Sequence, residues 1–160
     1  MSQDRSDGCS RGLIMAAVRC PPRPGLPACR EDLVRRTQRL MAALGLAGRC
    51  VEATLVGDRE MARLNADFLG LPGPTNVLSF EAGAGTGDDA GVQGGYLGEV
   101  VVSGDTCIRE AQLYGQDPSQ HFDRLLGHGL LHLAGYPHGP AMDALLDAAL
   151  AGSAPDRTAA

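Results

Sequence analysis

The chain has 160 residues, an apolar fraction of 44%, no tryptophan and a formal net charge of −5. That length suits one domain around a single core built from Leu, Val, Ala and Met. The acidic balance excludes a protein that coats nucleic acid without selectivity. The charge is uneven, however. Residues 1–63 carry 11 Arg against 7 acids, and residues 64–160 carry 3 Arg against 12 acids. A local RNA groove lined by the N-terminal half stays compatible with the composition.

The start, MSQDRSDGCSRG, has no long apolar run, so it does not read as a signal peptide, and residues 1–10 are expected to be flexible. No stretch approaches the length of a membrane-spanning helix, and a cytoplasmic protein is expected. The five cysteines, Cys9, Cys20, Cys29, Cys50 and Cys107, form no CxxC pair and read as free thiols.

In chain order, LIMAAV at 13–18 predicts a buried strand. PPRPGLP at 21–27 predicts a linker, because proline cannot join a helix interior or a central strand. Leu33, Val34, Leu40, Met41 and Leu44 share one face of a helix over 31–44, ended by Gly45 or Gly48. CVEATLV at 50–56 alternates as a strand does. Asp58 is the expected cap of a helix through about Asp67 that buries Met61 and Leu64. VLSFE at 77–81 predicts a strand, and residues 82–95, with six glycines, a flexible surface loop. LGEVVVS at 97–103 is the strongest strand pattern, with Asp105 expected to cap the helix after it. Pro118-Ser119 opens a helix through about Ala134 that presents Phe122, Leu125, Leu126, Leu130 and Leu133, and Gly135 stops it. Pro140 starts a last helix with Met142, Leu145, Leu146, Ala149 and Leu150 inward. One domain over 1–152 and a disordered tail over 153–160 follow. Strands and helices mix without strict alternation, which predicts an α+β fold: a small mixed sheet with about five helices.

The chemistry concentrates in HGLLHLAGYPH, residues 128–138, which holds three of the four histidines. His128 and His132 lie about 40° apart around a helix and can bite one metal from one face. Gly135 lets the chain turn, so that His138 returns to the same centre. Three imidazoles with a fourth position open is the arrangement of a catalytic zinc, one per chain, although nickel or copper suits the same donors. A water bound there becomes a nucleophile near neutral pH. The spacing also fits the protease pattern HExxHxxGxxH, but Gly129 stands where that pattern carries its glutamate base, and peptide hydrolysis is disfavoured. A mid-helix glycine costs about 1 kcal/mol relative to alanine, which points to a close approach of backbone or substrate at that position. His121 sits two turns upstream, about 10 Å along the axis, too far to share the metal. It reads as a substrate-facing residue or as a helix-surface imidazole.

These residues resemble a known family. HGLLHLAGYPH is similar to the HGxLHLxGYDH signature of the YbeY family of bacterial metal-dependent endoribonucleases. LNADFLGLPGPTNVLSF at 64–80 resembles that family's LNxxYRxxxxPTDVLSF block, and YLGEVVVS at 96–103 its LGDIVIS strand, followed by a helix with Glu110-Ala111. The blocks keep family order over roughly residues 50–150. The resemblance implies an α+β fold with a metal in a cleft beside the histidine-bearing helix, and zinc on His128, His132 and His138. It implies cleavage of single-stranded RNA in ribosomal RNA maturation, at the 3′ end of the small-subunit RNA, and in ribosome quality control. The implied partners are ribosomal RNA and the small ribosomal subunit or its assembly factors, with no DNA and no membrane.

Four positions depart from the pattern. Leu69 replaces the arginine after the aromatic, Asn76 and Glu99 replace aspartates, and Pro137 replaces the aspartate of GYDH. Glu99 and His121 are the candidate proton-transfer groups, Glu99 having a strand-edge carboxylate as its alternative reading. Asn76 and Ser79 are candidates to line the substrate groove, with turn or strand-capping as the alternative, and Ser103 shares that ambiguity. A second functional class stays open beside the nuclease: a ribosome-associated RNA-binding factor with a mainly structural metal and weak or lost cleavage.

Overall fold

The computed structural model describes residues 12–83 and 95–153. The expected flexible start, most of the glycine-rich loop and the tail beyond residue 153 lie outside them. Nine elements follow one another: β1 (Ile14–Val18), α1 (Arg30–Ala43), β2 (Cys50–Val56), α2 (Asp58–Leu69), β3 (Val77–Glu81), β4 (Tyr96–Ser103), α3 (Gly104–Leu113), α4 (Pro118–Leu133) and α5 (Pro140–Ser153). The last helix runs past the expected boundary at 152. The α+β expectation of a small mixed sheet with five helices is met.

The sheet has the order β1-β2-β4-β3, with β1, β2 and β4 parallel and β3 antiparallel to β4. Parallel neighbours need a crossover, and here α1 and α2 supply the helices between them. Among the described residues β3 is an edge strand. The register between β2 and β4 shifts between Cys50–Tyr96 and Glu52–Glu99, and Gly98 in that gap has φ +127. A Cβ at Gly98 would stand 2.0 Å from the Phe80 carbonyl oxygen, so only glycine fits this bulge. Its extra residue lets Leu97 join Val100 and Val102 in the main core.

That core lies between one sheet face and helices α1, α4 and α5. It includes Val51, Ala53 and Leu55 of β2, Leu33 and Leu40 of α1, Phe122, Leu126 and Leu130 of α4, and Leu146 of α5. Helix α2 packs on the opposite face, where Met61 clusters with Val56, Leu78 and Val101. Arg36 ties α1 to the start of α4 through the Ser119 hydroxyl and lies 5.3 Å over the Phe122 ring.

Helix α4 lies so close to the sheet that no side chain fits at Gly129. A Cβ there would stand 2.6 Å from Val100 Cγ1, 3.1 Å from Val77 Cγ2 and 3.2 Å from Ser79 Oγ. The close approach expected of this glycine is real, and it is made by the protein's own β3 and β4.

Two capping expectations are overturned. Asp58 does not cap α2: the cap is Gly57, with no side-chain bond. Asp105 does not cap α3: Ser103 does, accepting from the Thr106 N–H. Asp105 instead accepts from the Asp58 N–H (2.9 Å), while Asp58 accepts from Ser103 (2.8 Å), Thr106 (2.7 Å) and Arg109 (2.5 Å). The two helix starts face each other, so each acid serves the neighbouring helix. The thiols of Cys20, Cys29 and Cys107 are free, as expected. Cys50 is disulfide-bonded, which corrects the expectation of free thiols throughout.

This packing makes two variants informative. Burial lifts the Asp58 carboxyl, but the hydrogen bonds from Arg109, Thr106 and Ser103 outweigh it and hold the group below its ordinary 3.8. A depressed carboxyl stabilises the fold above its unfolded value, and that contribution disappears as pH falls through the folded value. Asp58→Asn is expected to cost about 1–3 kcal/mol at neutral pH, with the gap to the parent closing in acid; denaturant melts across pH 2–7 check this, and a pH-independent gap contradicts it. Gly129→Ala is expected to destabilise by about 1–3 kcal/mol despite the better helix propensity of alanine. An unchanged or raised melting temperature contradicts that.

Candidate metal centre

Helix α4 begins at Asp117, whose side chain accepts from the Gln120 N–H, with Pro118 in the first turn. Its leucines and Phe122 bury the core face, so His128 and His132 fall at the margin, both half-buried. The helix ends at Ala134, and Gly135, at φ +93, turns the chain back. His138 then arrives from the turn, exposed.

The three imidazoles meet. Their ring centroids are 4.5, 5.0 and 4.2 Å apart, and one ligand atom from each lies within 4.8 Å of the others. His128 Nε2 and His132 Nε2 are 3.0 Å apart. Three imidazole nitrogens this close would be able to share one divalent ion. His132 Nδ1 sits 3.2 Å from the Tyr136 carbonyl oxygen, which can only accept. The proton is thereby placed on Nδ1 and the lone pair on Nε2, the tautomer a ligand needs. Burial pushes His128 below its ordinary 6.5, and the neighbouring His132 and His138 push in the same direction, against Asp143. His128 is thus neutral at neutral pH. The donor set fits a divalent transition metal, and His128, His132 and His138 are the only group of its kind among the described residues.

The other candidates are dispersed around this centre. Ser79 donates to the Gly129 carbonyl (3.0 Å), fastening edge strand β3 to the histidine-bearing helix. Glu99 follows strand alternation onto the sheet face opposite Val100, where Thr54 donates to it (3.1 Å). It is turned away from the face that carries α4. His121 is not on the helix surface: it is 7% exposed, and its Nε2 lies 2.8 Å from Glu110 Oε2. Asn76 donates to the same carboxylate at 3.2 and 3.3 Å, and its own Oδ1 accepts from the Val77 N–H. Ser103 is fully buried as the cap of α3. Leu69 is 56% exposed, an apolar side chain in water.

Sequence reasoning missed two participants. Glu110 is one acid among many on helix surfaces, and no spacing marks it as the partner of both Asn76 and His121. The Tyr136 carbonyl is a backbone group, invisible in a list of side chains. Only the glycine turn hinted that the backbone there faces a ligand.

One titration tests the electrostatics. In metal-free protein the His128 ring is expected to titrate below 6.5; histidine ring NMR across pH 4–8 reads the midpoint, and a value above 6.5 contradicts the stated balance.

Comparison with known proteins places the chain. The family model described as Endoribonuclease YbeY matches residues 29–146. An Endoribonuclease YbeY from Nitratidesulfovibrio vulgaris is 43% identical over 146 residues, covering 84% of this chain and 90% of that protein. One from Oleidesulfovibrio alaskensis is 39% identical over 151 residues, covering 82% and 86%. The solution structure of TM1509 from Thermotoga maritima superposes with a TM-score of 0.60 at 20% identity, over 88% of this chain and 89% of that one, and supports the fold. With a family model spanning most of the chain and relatives near two-fifths identity over more than four-fifths of it, the protein belongs to the Endoribonuclease YbeY family.

Proposed function

We propose that this protein is a metal-dependent endoribonuclease, working as one domain in the cytoplasm, that cuts single-stranded RNA during ribosomal RNA maturation. The substrate proposed is the 3′ end of the small-subunit RNA, with the small ribosomal subunit or its assembly factors as partners and ribosome quality control as a related task. Among the described residues no helix is long and apolar enough to cross a membrane. The observation that carries the reading is the convergence of His128, His132 and His138 in a chain of this family.

Zinc is the proposed ion, because three neutral imidazoles with an open position suit its catalytic sites. When bound there, it supplies a Lewis acid and an acidified water to a phosphodiester. The chain's own residues do the positioning. Tyr136 fixes the tautomer of His132 through its carbonyl. Ser79 holds β3 against Gly129, so that the β3 edge of the sheet and the histidine turn form the two sides of the proposed cleft. Asn76 and Ser79 border that cleft from β3. Of the two proton-transfer candidates, His121 is buried two turns from the triad with its Nε2 held by Glu110, which suits it to positioning, and Glu99 lies on the other sheet face. The protease alternative fails sterically as well as by letter: Gly129 faces Val100 at a distance that admits no glutamate.

The test uses metal-loaded protein and single-stranded ribosomal RNA, beside His132→Ala. The parent is expected to cleave, and the variant to lose cleavage by at least roughly a hundredfold, as loss of a metal ligand or its support does. Equal cleavage by both, or none by either, would sink the nuclease reading; retained RNA binding without cleavage would favour the RNA-binding factor. Metal analysis is expected to give one ion per chain in the parent and a clear loss in His128→Ala. An unchanged content in that variant removes the site.

A further inference from the structure

Outside the triad, a polar cluster gathers around the buried His121, with the half-buried Asn76 and Glu110 brought to it from two other parts of the chain. Asn76 stands just before edge strand β3, Glu110 on α3 and His121 on α4. The single Glu110 carboxylate accepts from Asn76 Nδ2 on one side and meets His121 Nε2 at 2.8 Å on the other. Asn76 is itself pinned twice. Its Oδ1 accepts from the Val77 N–H at 2.7 Å, and its carbonyl accepts from the Ser103 N–H at 2.9 Å. Tyr114 closes the cluster with its ring edge-on to His121, centroids 6.3 Å apart. Among the described residues Glu110 is the one hydrogen-bond partner of the His121 ring, whose Nδ1 is buried and unpaired.

The position of this bridge gives it a task. His121 precedes His128 by seven residues and lies about 20° from it around α4. Asn76, just before β3, precedes Ser79 by three residues. Strand and helix are therefore fastened at two points: Ser79 to the Gly129 carbonyl beside the metal ligands, and Asn76 through Glu110 to His121 two turns away. The ladder to β4 holds β3 in the sheet, and these two fastenings set how it lies against the helix. Among the described residues β3 pairs in the sheet with β4 alone.

We propose that Glu110 is a positioning residue for RNA: by gripping Asn76 and His121 with one carboxylate, it sets the angle between the edge strand and the metal-bearing helix that the substrate strand must span. This rests on the nuclease reading above. Because the bridge lies two turns from the triad, its loss loosens the grip on RNA away from the scissile bond, while the ligands keep their geometry.

The test compares Glu110→Ala, Asn76→Ala and the double variant in metal-loaded, full-length protein, with Glu110→Gln as the conservative control. Glu110→Ala is expected to keep one metal per chain and to raise KM for single-stranded RNA roughly tenfold, the equivalent of one charge-assisted hydrogen bond, with kcat changed much less. Asn76→Ala is expected to raise KM in the parent background but to add nothing in the Glu110→Ala background, since both cut the same bridge. Glu110→Gln keeps an acceptor for one arm and is expected to fall between parent and Glu110→Ala. Hydrogen exchange of the Val77 amide, which needs no activity, is expected to accelerate in Glu110→Ala. Additive KM effects, a fall in kcat alone, or unchanged exchange at Val77 would each overturn the proposal. If the parent cleaves no RNA, the nuclease reading fails, and the exchange result alone still decides whether the bridge fixes β3.

Discussion

The missing side chain at Gly129 is the constraint on which the arrangement depends. Helix α4 can carry ligands for a metal only if it is held firmly, and it is held by lying directly on Val77, Ser79 and Val100. At that separation the helix carbonyl comes within reach of Ser79 Oγ, and a hydrogen bond replaces the packing a methyl group would have supplied. The helix propensity lost at a mid-helix glycine is small beside the apolar surface that Leu126 and Leu130 bury when the helix sits this low. The same close approach sets which way His128 faces, since one residue along the helix is a rotation of about 100°.

Around that approach the polar groups divide into two kinds. The cross-capping pair Asp58 and Asp105 joins the starts of α2 and α3 and belongs to the stability of the fold. The histidines, with Tyr136 behind them, belong to the metal centre. Glu110 belongs to both, because a carboxylate shared by three elements is at once a staple and an alignment device. Such a group has to be satisfied on both sides, since a partly buried charge with one partner is far less stable than one with two.

Much of this could be read from the residues. Apolar periodicity located all nine elements, because burial on one face dictates a period that survives in sequence. The helix through His128 and His132 and the turn at Gly135 followed from local rules alone, so the meeting of the three histidines was legible too. Capping was not. Asp58 and Asp105 have the right residue type at the right offset, yet the helix starts face each other, and the acids take partners that only the tertiary fold supplies. His121 was misjudged for the same reason: its spacing puts it on the ligand side of the helix, but whether that side meets water or Glu110 depends on where α3 lies. Glu99 was placed in a strand correctly, and its face was decided by the bulge at Gly98, whose extra residue resets the alternation.

The metal centre has a property that follows from its compactness in sequence. All three ligands fall within eleven residues, in one helix end and the turn after it. The sheet that supports them is the reverse: β1 pairs with β2 across the whole of α1, and β2 with β4 across α2 and β3. Closing a short loop costs little chain entropy, whereas the parallel pairings require distant segments to find one another. The histidines can thus gather around an ion before the sheet is complete. An ion held by these histidines would then be placed to order the helix end early.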